Sequence, residues 1–582
     1  MLKSTETSMD NIHWQPRFSA TDLDQNKIIA EIMSHRDQRP PPTENYSDPV
    51  VTHICEALRH AIHQKKRILL YGDYDVDGTM SCVLWIWFFQ AIQFDHYDFY
   101  IPRREKGYGV HLDVIQDYVR TASCQVVITM DTGVTAGAVA NWCHQNQVLF
   151  IVTDHHEVQP DKLPKSGLVI NPKLSHNRDY DNLCGAGITY LVIDALIRHS
   201  HFMLPATFYK DALTITALAT VCDVMPLSGG NRRLVQNGLT FFAESTRPIL
   251  LALRERFCRG APEVTDFSFR IGPLINAAGR LADATLVVKG FTQDQHPQSL
   301  EHNIQELIAI NHQRKNLSTR ILHEAELILQ ESPHLLEYPL LFLGHENWHP
   351  GVLGIVAGRL AEMYHKPTWL FSLNKDKQEW IGSARSMPQK PDNNKSFDLL
   401  DAMVSAEELF HRFGGHKSAG GFAFPEHHRD KIFHQLLTYS NNIYHQYAEL
   451  WQVVTSYDCE LSSPQISDSL AKAIAQLQPF GHGYEEPVFL IRGHLARCDY
   501  YHNKNTGKPG HTALFLHISS DSQSPNTFDN PKKVIFFNQL IQPTDAKEHQ
   551  VKCLVHMRWS LFRSKWRMEL IGIKVHLSPG GG

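Results

Sequence analysis

The sequence predicts a multi-domain α/β protein, and three observations carry that reading. Between residues 66 and 170, runs that are apolar throughout alternate with helix-forming segments, the pattern of a parallel sheet covered on both faces. Between Pro297 and Pro333 no residue breaks a helix, and a continuous helix there would span about 50 Å. From Asp458 onward, short alternating segments separated by Gly, Asn and Pro turns read as a small β-barrel. A chain of 582 residues is too long for one hydrophobic core.

Taken in order, residues 1–48 are polar and close on Arg39-Pro40-Pro41-Pro42, which reads as a tail or linker. Lys66 to Tyr71 is a buried strand, followed by an apolar helix from Thr79 to about Gln93. Tyr97–Ile101, Gln125–Met130, Val148–Thr153 and Leu168–Ile170 read as further strands, with a helix over Val134–Asn146. Leu300, Ile304, Leu307, Ile308, Leu317, Ile321 and Ala325 keep helical spacing through the connector. A second α/β unit with Gly-rich segments follows from about Tyr338 to Tyr444. The expected divisions are a tail (1–48), a first α/β domain (49–296), a connector helix (297–333), a second α/β domain (334–445) and a barrel (456–582).

Composition narrows the class. With 42% hydrophobic and 20% charged residues, disordered and fibrous classes are out. No apolar core follows Met1-Leu2-Lys3, so no secretory signal is expected. The longest apolar run, Met80–Ala91, is too short for a membrane span. The ten cysteines include no CxxC pair and sit mostly in apolar runs, which disfavours a zinc ribbon or disulfide framework and fits a cytoplasmic protein. Val488–Gly582 carries 13 Lys and Arg against 6 Asp and Glu, a net of +7 that leaves −12 for the rest of a chain totalling −5. A basic C-terminal module beside an acidic body suggests polyanion binding next to a metal site.

The chemistry-bearing pattern is Gly72-Asp73-Tyr74-Asp75-Val76-Asp77-Gly78. Three acids two positions apart, in extended chain, would share one face at a strand end and repel one another unless a cation holds them. A calcium EF-hand is excluded, because the position that needs its closing Glu is Leu84. The third strand ends in Met130-Asp131-Thr132-Gly133 and the fourth in Thr153-Asp154-His155-His156. Ligands of open parallel sheets bind beyond the carboxyl ends of the strands, so Asp, Asp and His arrive at one edge. Ala219 to Pro226 adds Asp223. Carboxylates and imidazoles without a thiolate suit Mn²⁺ or Mg²⁺, and there are ligands enough for two ions sharing a carboxylate. In extended chain, His155 and His156 would point opposite ways.

GDYDVDG at 72–78, MDTG at 130–133, TDHHE at 153–157 and TVCDVMPL at 220–227 resemble the four motifs of the DHH phosphoesterase superfamily. IPRREKGYG at 101–109 and INAAGRL at 275–281 resemble the RecJ family of single-strand-specific 5′→3′ exodeoxyribonucleases, and the likeness extends from about residue 50 to the end. The resemblance implies a DHH catalytic domain, a DHH-associated substrate domain and a C-terminal OB-like barrel. It also implies two divalent ions, Mn²⁺ or Mg²⁺, and release of 5′-mononucleotides in recombination and repair.

By the same resemblance Asp73, Asp75, Asp77, Asp131, His155 and Asp223 are metal ligands, Asp131 bridges the ions, and His156 contacts the scissile phosphate. Arg103, Arg104 and Arg280 are expected to contact substrate. The segments Trp380–Ser386 and Phe413–Phe422 would hold nucleic acid near its 5′ end through Ser383, Arg385, Gly414, Gly415 and His416. Physically, Gly-Gly lets backbone N–H groups approach an anion, and a helix starting near His416 would add its positive end. Gln478–Pro487 is similar to the segment leading into the family's barrel, with Tyr484 where Asn is common. Trp559, Phe562, Arg563, Lys565, Trp566 and Arg567 interleave rings and cations, as in a groove for single strands; a core hairpin with a solvated charged face fits the same residues.

The implied partner is single-stranded DNA, with a helicase or a single-strand-binding protein as further candidates. A monomer and no membrane association are expected. Two rival readings are a DHH phosphodiesterase acting on cyclic dinucleotides or short RNA, which generally lacks the basic barrel, and an inactive replication scaffold, which would have lost ligands.

Overall fold

The structure is a computed structural model, and it describes residues 13–20, 23–36, 49–174, 182–293, 296–375, 377–388, 396–502, 509–518, 530–541, 550–562 and 565–578. The chain forms two compact units. One comprises the described residues between Asp37 and Leu317 together with Pro479–Glu485; the other comprises those up to Arg36, from Ser318 to Gln478, and from Glu486 onward.

The first unit is built on a five-stranded parallel sheet in the order Tyr97–Tyr100, Ile68–Gly72, Val126–Met130, Leu149–Thr153, Leu168–Ile170. The apolar runs become strands because both faces are covered: Ile68–Gly72 and Val126–Met130 are buried at every position. The chain leaves Ile68–Gly72 toward one neighbour and returns to Val126–Met130 on the other side. The loops beyond these two strand ends therefore diverge, and the crevice they leave is where an open α/β sheet binds its ligand. The run that read as too short for a membrane is the buried helix Val76–Ala91. Among the described residues no helix is long and apolar enough to cross a membrane.

The connector is one helix, Pro297–Glu331. It is not a free spacer, because each half is packed into its own unit. Leu300, Ile304 and Leu307 are buried in the first half and Ile321, Ala325 and Leu329 in the second.

In the second unit, the sheet order is Arg412–Gly415, Ala419–Pro425, Glu379–Arg385, Thr368–Asn374, Leu341–Gly344, with only the last pair parallel. Its core is aromatic, including Trp369, Phe371, Phe397, Phe422 and Phe424. The C-terminal module is a closed five-stranded barrel. Phe489–His502 pairs antiparallel with both Pro509–His517 and Gln550–Phe562, and Lys532–Phe537 closes the ring by pairing in parallel with Lys565–Ser578.

Residues 13–36 correct the reading of an N-terminal tail. His13–Pro16 adds a parallel strand to Val454–Tyr457, and the helix Gln25–Ser34, capped by Asp24, buries Ile28 and Ile32. Arg36 is buried against Asp458 in a two-pronged pair, Nη1–Oδ1 2.6 Å and Nη2–Oδ2 3.1 Å. A polar composition concealed two apolar positions and one arginine whose partner is 422 residues away.

Candidate metal centre

Two of the three motif acids at 73–77 owe their positions to a helix start, not to an extended strand. The strand stops at Gly72 and the helix begins at Val76. Asp75 is its N-cap, accepting the Gly78 N–H at 3.1 Å, and Asp77 lies in its first turn. Both oxygens of Asp77 accept backbone N–H groups from the start of the helix Gly185–Ser200, from Gly185 at 2.5 Å and Ala186 at 2.7 Å. Glycine is required at 185, because a Cβ there would stand 2.7 Å from the Asp131 Cβ.

Asp131 follows its strand with φ of +59°, a left-handed conformation that costs about 1 kcal/mol or more and recurs at functional sites. Asp223 caps the carboxyl end of the helix Ala206–Cys222, and the next residue, Val224, also has positive φ (+55°) while 62% exposed. A β-branched residue in that region is an outlier; here two such conformations flank one acidic cluster.

The side chains converge. His155 Nε2 lies 3.2 Å from Asp131 Oδ1, 3.5 Å from Asp223 Oδ2 and 3.8 Å from Asp77 Oδ2. Donor atoms of Asp77, His155 and Asp223 lie within 4.8 Å of one another, as do those of Asp73, Asp75 and Asp131, and those of Asp131, His155 and His156. Asp131 thus belongs to the groups on both sides. The two imidazoles do not point opposite ways: their ring centroids are 4.7 Å apart, and both rings approach Asp131. The chain has left the strand at Thr153, and Asp154 turns it.

Asp154 is the residue that sequence reasoning passed over. It accepts the backbone N–H groups of Val134, His155 and His156, and its Oδ1 lies 2.8 Å from His156 Nδ1. Its burial would raise its pKa, but His156 and these N–H groups hold it below the ordinary range. Burial would likewise depress His156, yet the hydrogen bond and charge of Asp154 lift it to about 9. Tyr108 completes the rim, its hydroxyl 3.1 Å from His156 Nδ1 and 3.3 Å from the Asp131 carbonyl oxygen.

The donor set fits divalent cations. Asp73 Oδ1, Asp131 Oδ1 and Asp223 Oδ2 are buried and, among the described residues, meet no donor in hydrogen-bonding geometry. Burial first, and neighbouring carboxylates second, raise Asp73, Asp131 and Asp223 well above the ordinary range, and Asp77 to about 6. Such crowding needs positive charge. The nearby thiol of Cys184 is pushed well above its usual pKa by burial and stays protonated, leaving oxygen and nitrogen donors.

The other expected residues fall in separate places. Arg104 lies 4.4 Å over the Tyr74 ring and donates to the Gly279 carbonyl, and Arg280 acts electrostatically on the same tyrosine, so both stand beside the acidic loop. Arg103 is paired with Asp283 at 3.2 Å. In the second unit, Ser383 and Arg385 face the helix Pro350–Tyr364, where a Cβ on Gly354 would meet Arg385 Nη2 at 2.7 Å and Ser383 Oγ at 3.3 Å. Gly414 and Gly415 pair with Gly421 and Gly420 on the neighbouring strand. No helix starts at His416: His416 and Ala419 exchange backbone hydrogen bonds across a tight hairpin, so that segment offers a turn, not a helix dipole. In the barrel, Trp559 and Trp566 stack with parallel rings 6.3 Å apart and Lys472 sits over Trp559. Lys565 opens the final barrel strand among the described residues, with its backbone opposite Phe562. Arg567 is bound to Glu569. Arg563 lies outside the described residues.

Family models match in the same order: the DHH family, N-terminal domain, at residues 67–220, the DHHA1 domain at 337–441 and the RecJ OB domain at 457–573. The chain is 30% identical over 457 residues to the single-stranded-DNA-specific exonuclease RecJ of Dickeya dadantii, an alignment covering 75% of this chain and 77% of that one. This chain belongs to the RecJ family. A RecJ relative from Thermus thermophilus is 32% identical over 437 residues, 75% of this chain; the match spans 60% of the relative's length. Among solved structures, a RecJ crystal structure from Thermus thermophilus superposes with a TM-score of 0.79 at 24% identity, covering 99% of this chain and 81% of that one. An exonuclease RecJ bound to manganese matches with a TM-score of 0.59 at 29% identity, over 69% of this chain and 96% of that one. The RecJ fold therefore accounts for both α/β units and the barrel.

Proposed function

We propose that this chain is a divalent-metal-dependent exonuclease that degrades single-stranded DNA from its 5′ end to 5′-mononucleotides, in recombination and repair. The observation that carries the reading is Asp131, whose carboxylate lies within reach of the Asp73–Asp75 pair on one side and the imidazole-centred group on the other. Relatives are named single-stranded-DNA-specific exonucleases, and solved relatives are described as complexes with Mn²⁺ or Mg²⁺. The barrel speaks against a cyclic-dinucleotide phosphodiesterase, and the complete set of acids against an inactive scaffold.

Asp73, Asp75 and Asp131 would hold one cation, and Asp77, Asp131, His155 and Asp223 the other. When bound, the pair supplies charge neutralisation at the phosphate and activation of a water for in-line displacement. His156, kept cationic and aimed by Asp154, would donate from Nε2 to an oxygen of the scissile phosphate. Arg104 and Arg280 would meet the strand beside this centre, and Arg103 would do so on release from Asp283. Ser383, Arg385 and the Gly414–His416 hairpin would take the 5′ phosphate, a planar guanidinium suiting that anion. Trp559 and Trp566 would stack on the bases of the strand, and Phe562, Arg563, Lys565 and Arg567 are carried over from the sequence pattern as its further contacts. A monomeric cytoplasmic enzyme meeting a helicase or a single-strand-binding protein completes the reading.

The test is one strand labelled at the 5′ end and, separately, at the 3′ end, digested with and without Mn²⁺. Early release of the 5′ label as a mononucleotide, only with metal, is expected. Early release of the 3′ label, internal fragments, or metal-independent cleavage would overturn the reading.

A further inference from the structure

Seven residues of the first unit come from far along the chain. Pro479–Glu485 packs with the unit that contains the acidic cluster, although the chain up to Gln478 and from Glu486 belongs to the other. The segment is a closed turn: Gly481 and Tyr484 exchange backbone hydrogen bonds at 3.0 and 3.1 Å, and the Phe480 and Tyr484 rings stack at 6.1 Å. Tyr484 is buried.

What the turn grips is the stretch just beyond Asp223. The Leu227 N–H donates to the His482 carbonyl at 2.7 Å. A Cβ on Gly481 would stand 2.6 Å from Leu227 Cδ1, and one on Gly483, where φ is +71°, 3.2 Å from Pro226 Cβ. Four residues before that contact is Asp223, and between them Val224 holds its left-handed backbone. From the next helix, Arg232 donates to the Pro479 carbonyl at 2.7 Å and lays its guanidinium 3.8 Å over the Tyr484 ring, while Asn231 holds the Pro226 carbonyl at 3.1 Å. The Asp223 loop is thus pinned from both sides, by its own helix and by a turn more than 250 residues later in the sequence.

We propose that the Pro479–Glu485 turn, locked by Arg232 and Tyr484, is a positioning device for Asp223: it holds Val224 in its strained conformation and so fixes the Asp223 carboxylate within the metal centre. Tyr484 and Arg232 act on Asp223 at one remove, through Leu227 and Pro226. A strained backbone persists only where its surroundings over-determine it, and the turn supplies that determination. The inference rests on the metal-ligand role proposed above for Asp223.

The experiment uses the full chain and reads Mn²⁺ binding by calorimetry without DNA, together with kcat and KM on a short oligonucleotide and the Tm in EDTA. Tyr484→Leu and Arg232→Met should each weaken the weaker-bound Mn²⁺ about tenfold, the usual effect of losing a partner that orients a ligand. kcat should fall at limiting metal and KM for the strand should stay put. Tyr484→Phe keeps the ring under the guanidinium and should restore wild-type binding. Should Tyr484→Leu fail to fold, Arg232→Met carries the test. A folded variant with lowered Tm but wild-type Mn²⁺ affinity and stoichiometry would reduce the turn to a structural staple and overturn the proposal. Asp223→Ala separates the two levels. If it loses a Mn²⁺ while the turn variants do not, only the positioning role falls; if it binds both ions as wild type does, the ligand role of Asp223 falls and the positioning role with it.

Discussion

Asp154 Oδ1 lies 2.8 Å from His156 Nδ1, and the same oxygen accepts the backbone N–H groups of His155 and His156. One buried carboxylate thus sets the charge and orientation of one imidazole and the backbone course of both. Asp154→Asn keeps the size of the side chain but loses the charge and one acceptor. It is expected to lower kcat 10- to 100-fold, the range seen when a partner orienting active-site ligands is lost. It should also bring the His156 titration down from about 9 toward the ordinary histidine range. A histidine NMR titration unchanged by the substitution would contradict this account.

Asp131→Asn is the cleaner probe of the shared acid than Asp131→Ala, because Asn tolerates the φ of +59° that Ala does not. Cleavage in Mn²⁺ should fall by at least about a hundredfold, since both cation groups lose a charge at once. The Tm in EDTA should equal or exceed that of wild type, because a repelling charge is gone. Activity within tenfold of wild type would mean that the centre is misassigned.

Acid and metal should stabilise the protein interchangeably. Asp77 rises on folding from 3.8 to about 6, and Asp73, Asp131 and Asp223 rise well above 3.8. A group whose pKa is raised on folding favours the folded state below its unfolded value and loses that contribution as pH climbs through its folded value. For Asp77 the loss runs from about 4 to about 6; His156, raised from 6.5 to about 9, adds the same sign higher up. EDTA-treated protein should therefore melt higher at about pH 5 than at about pH 8, and Mn²⁺ at about pH 8 should recover several degrees. Melting scans at the two pH values, with and without metal, decide it; a Tm that climbs with pH in EDTA would be the wrong sign.

Trp566 is 59% exposed while stacked on Trp559. If bases stack there, Trp566→Ala should weaken binding of a long single strand by about 1–3 kcal/mol, with turnover of a very short oligonucleotide unchanged. Equal affinity by fluorescence anisotropy would assign the ring pair to the barrel's own packing. Excising residues from Val488 onward is a poorer test, because Phe489 pairs with Cys459 and the Val488 N–H is held by Asp458.

Arg385→Ala should blunt any preference for a 5′-phosphorylated over a 5′-hydroxyl strand, because its guanidinium and Ser383 face the same helix at Gly354. Competition between the two strands in one digest reads this directly. Equal loss on both would make Arg385 a general packing residue.

What the sequence made legible was what lies close together along the chain. The strands were evident because residues 68–72 and 126–130 are buried on both faces and so carry no charged residue and only Thr129 and the Tyr71 hydroxyl as polar groups. The acids were evident because each follows a strand or a helix end by one or a few residues. Local pattern could not show where those side chains turn. Asp75 read as a strand residue but is a helix cap, and His155 and His156 read as diverging because alternation was assumed past Thr153, where the strand stops. His416 read as a helix start, whereas Gly415, with φ of +143°, opens a hairpin. Hidden altogether were features whose partners are remote: Arg36 with Asp458, and Tyr484 with Arg232.

The strand His13–Pro16 has a consequence for how the chain is made. Arg17, next to it, and its partner Asp458 are 441 positions apart, so at about 5–20 residues per second a ribosome needs roughly 20–90 s to deliver the second after the first. Through that interval the N-terminal strand edge and Ile28 and Ile32 have no final place to go, while the five strands of the parallel sheet, residues 68–170, have all been delivered between them. The module that contains Asp458 therefore depends on a segment synthesised more than 400 residues earlier, and a nascent chain halted before Asp458 would hold that early arm available to chaperones and proteases alike.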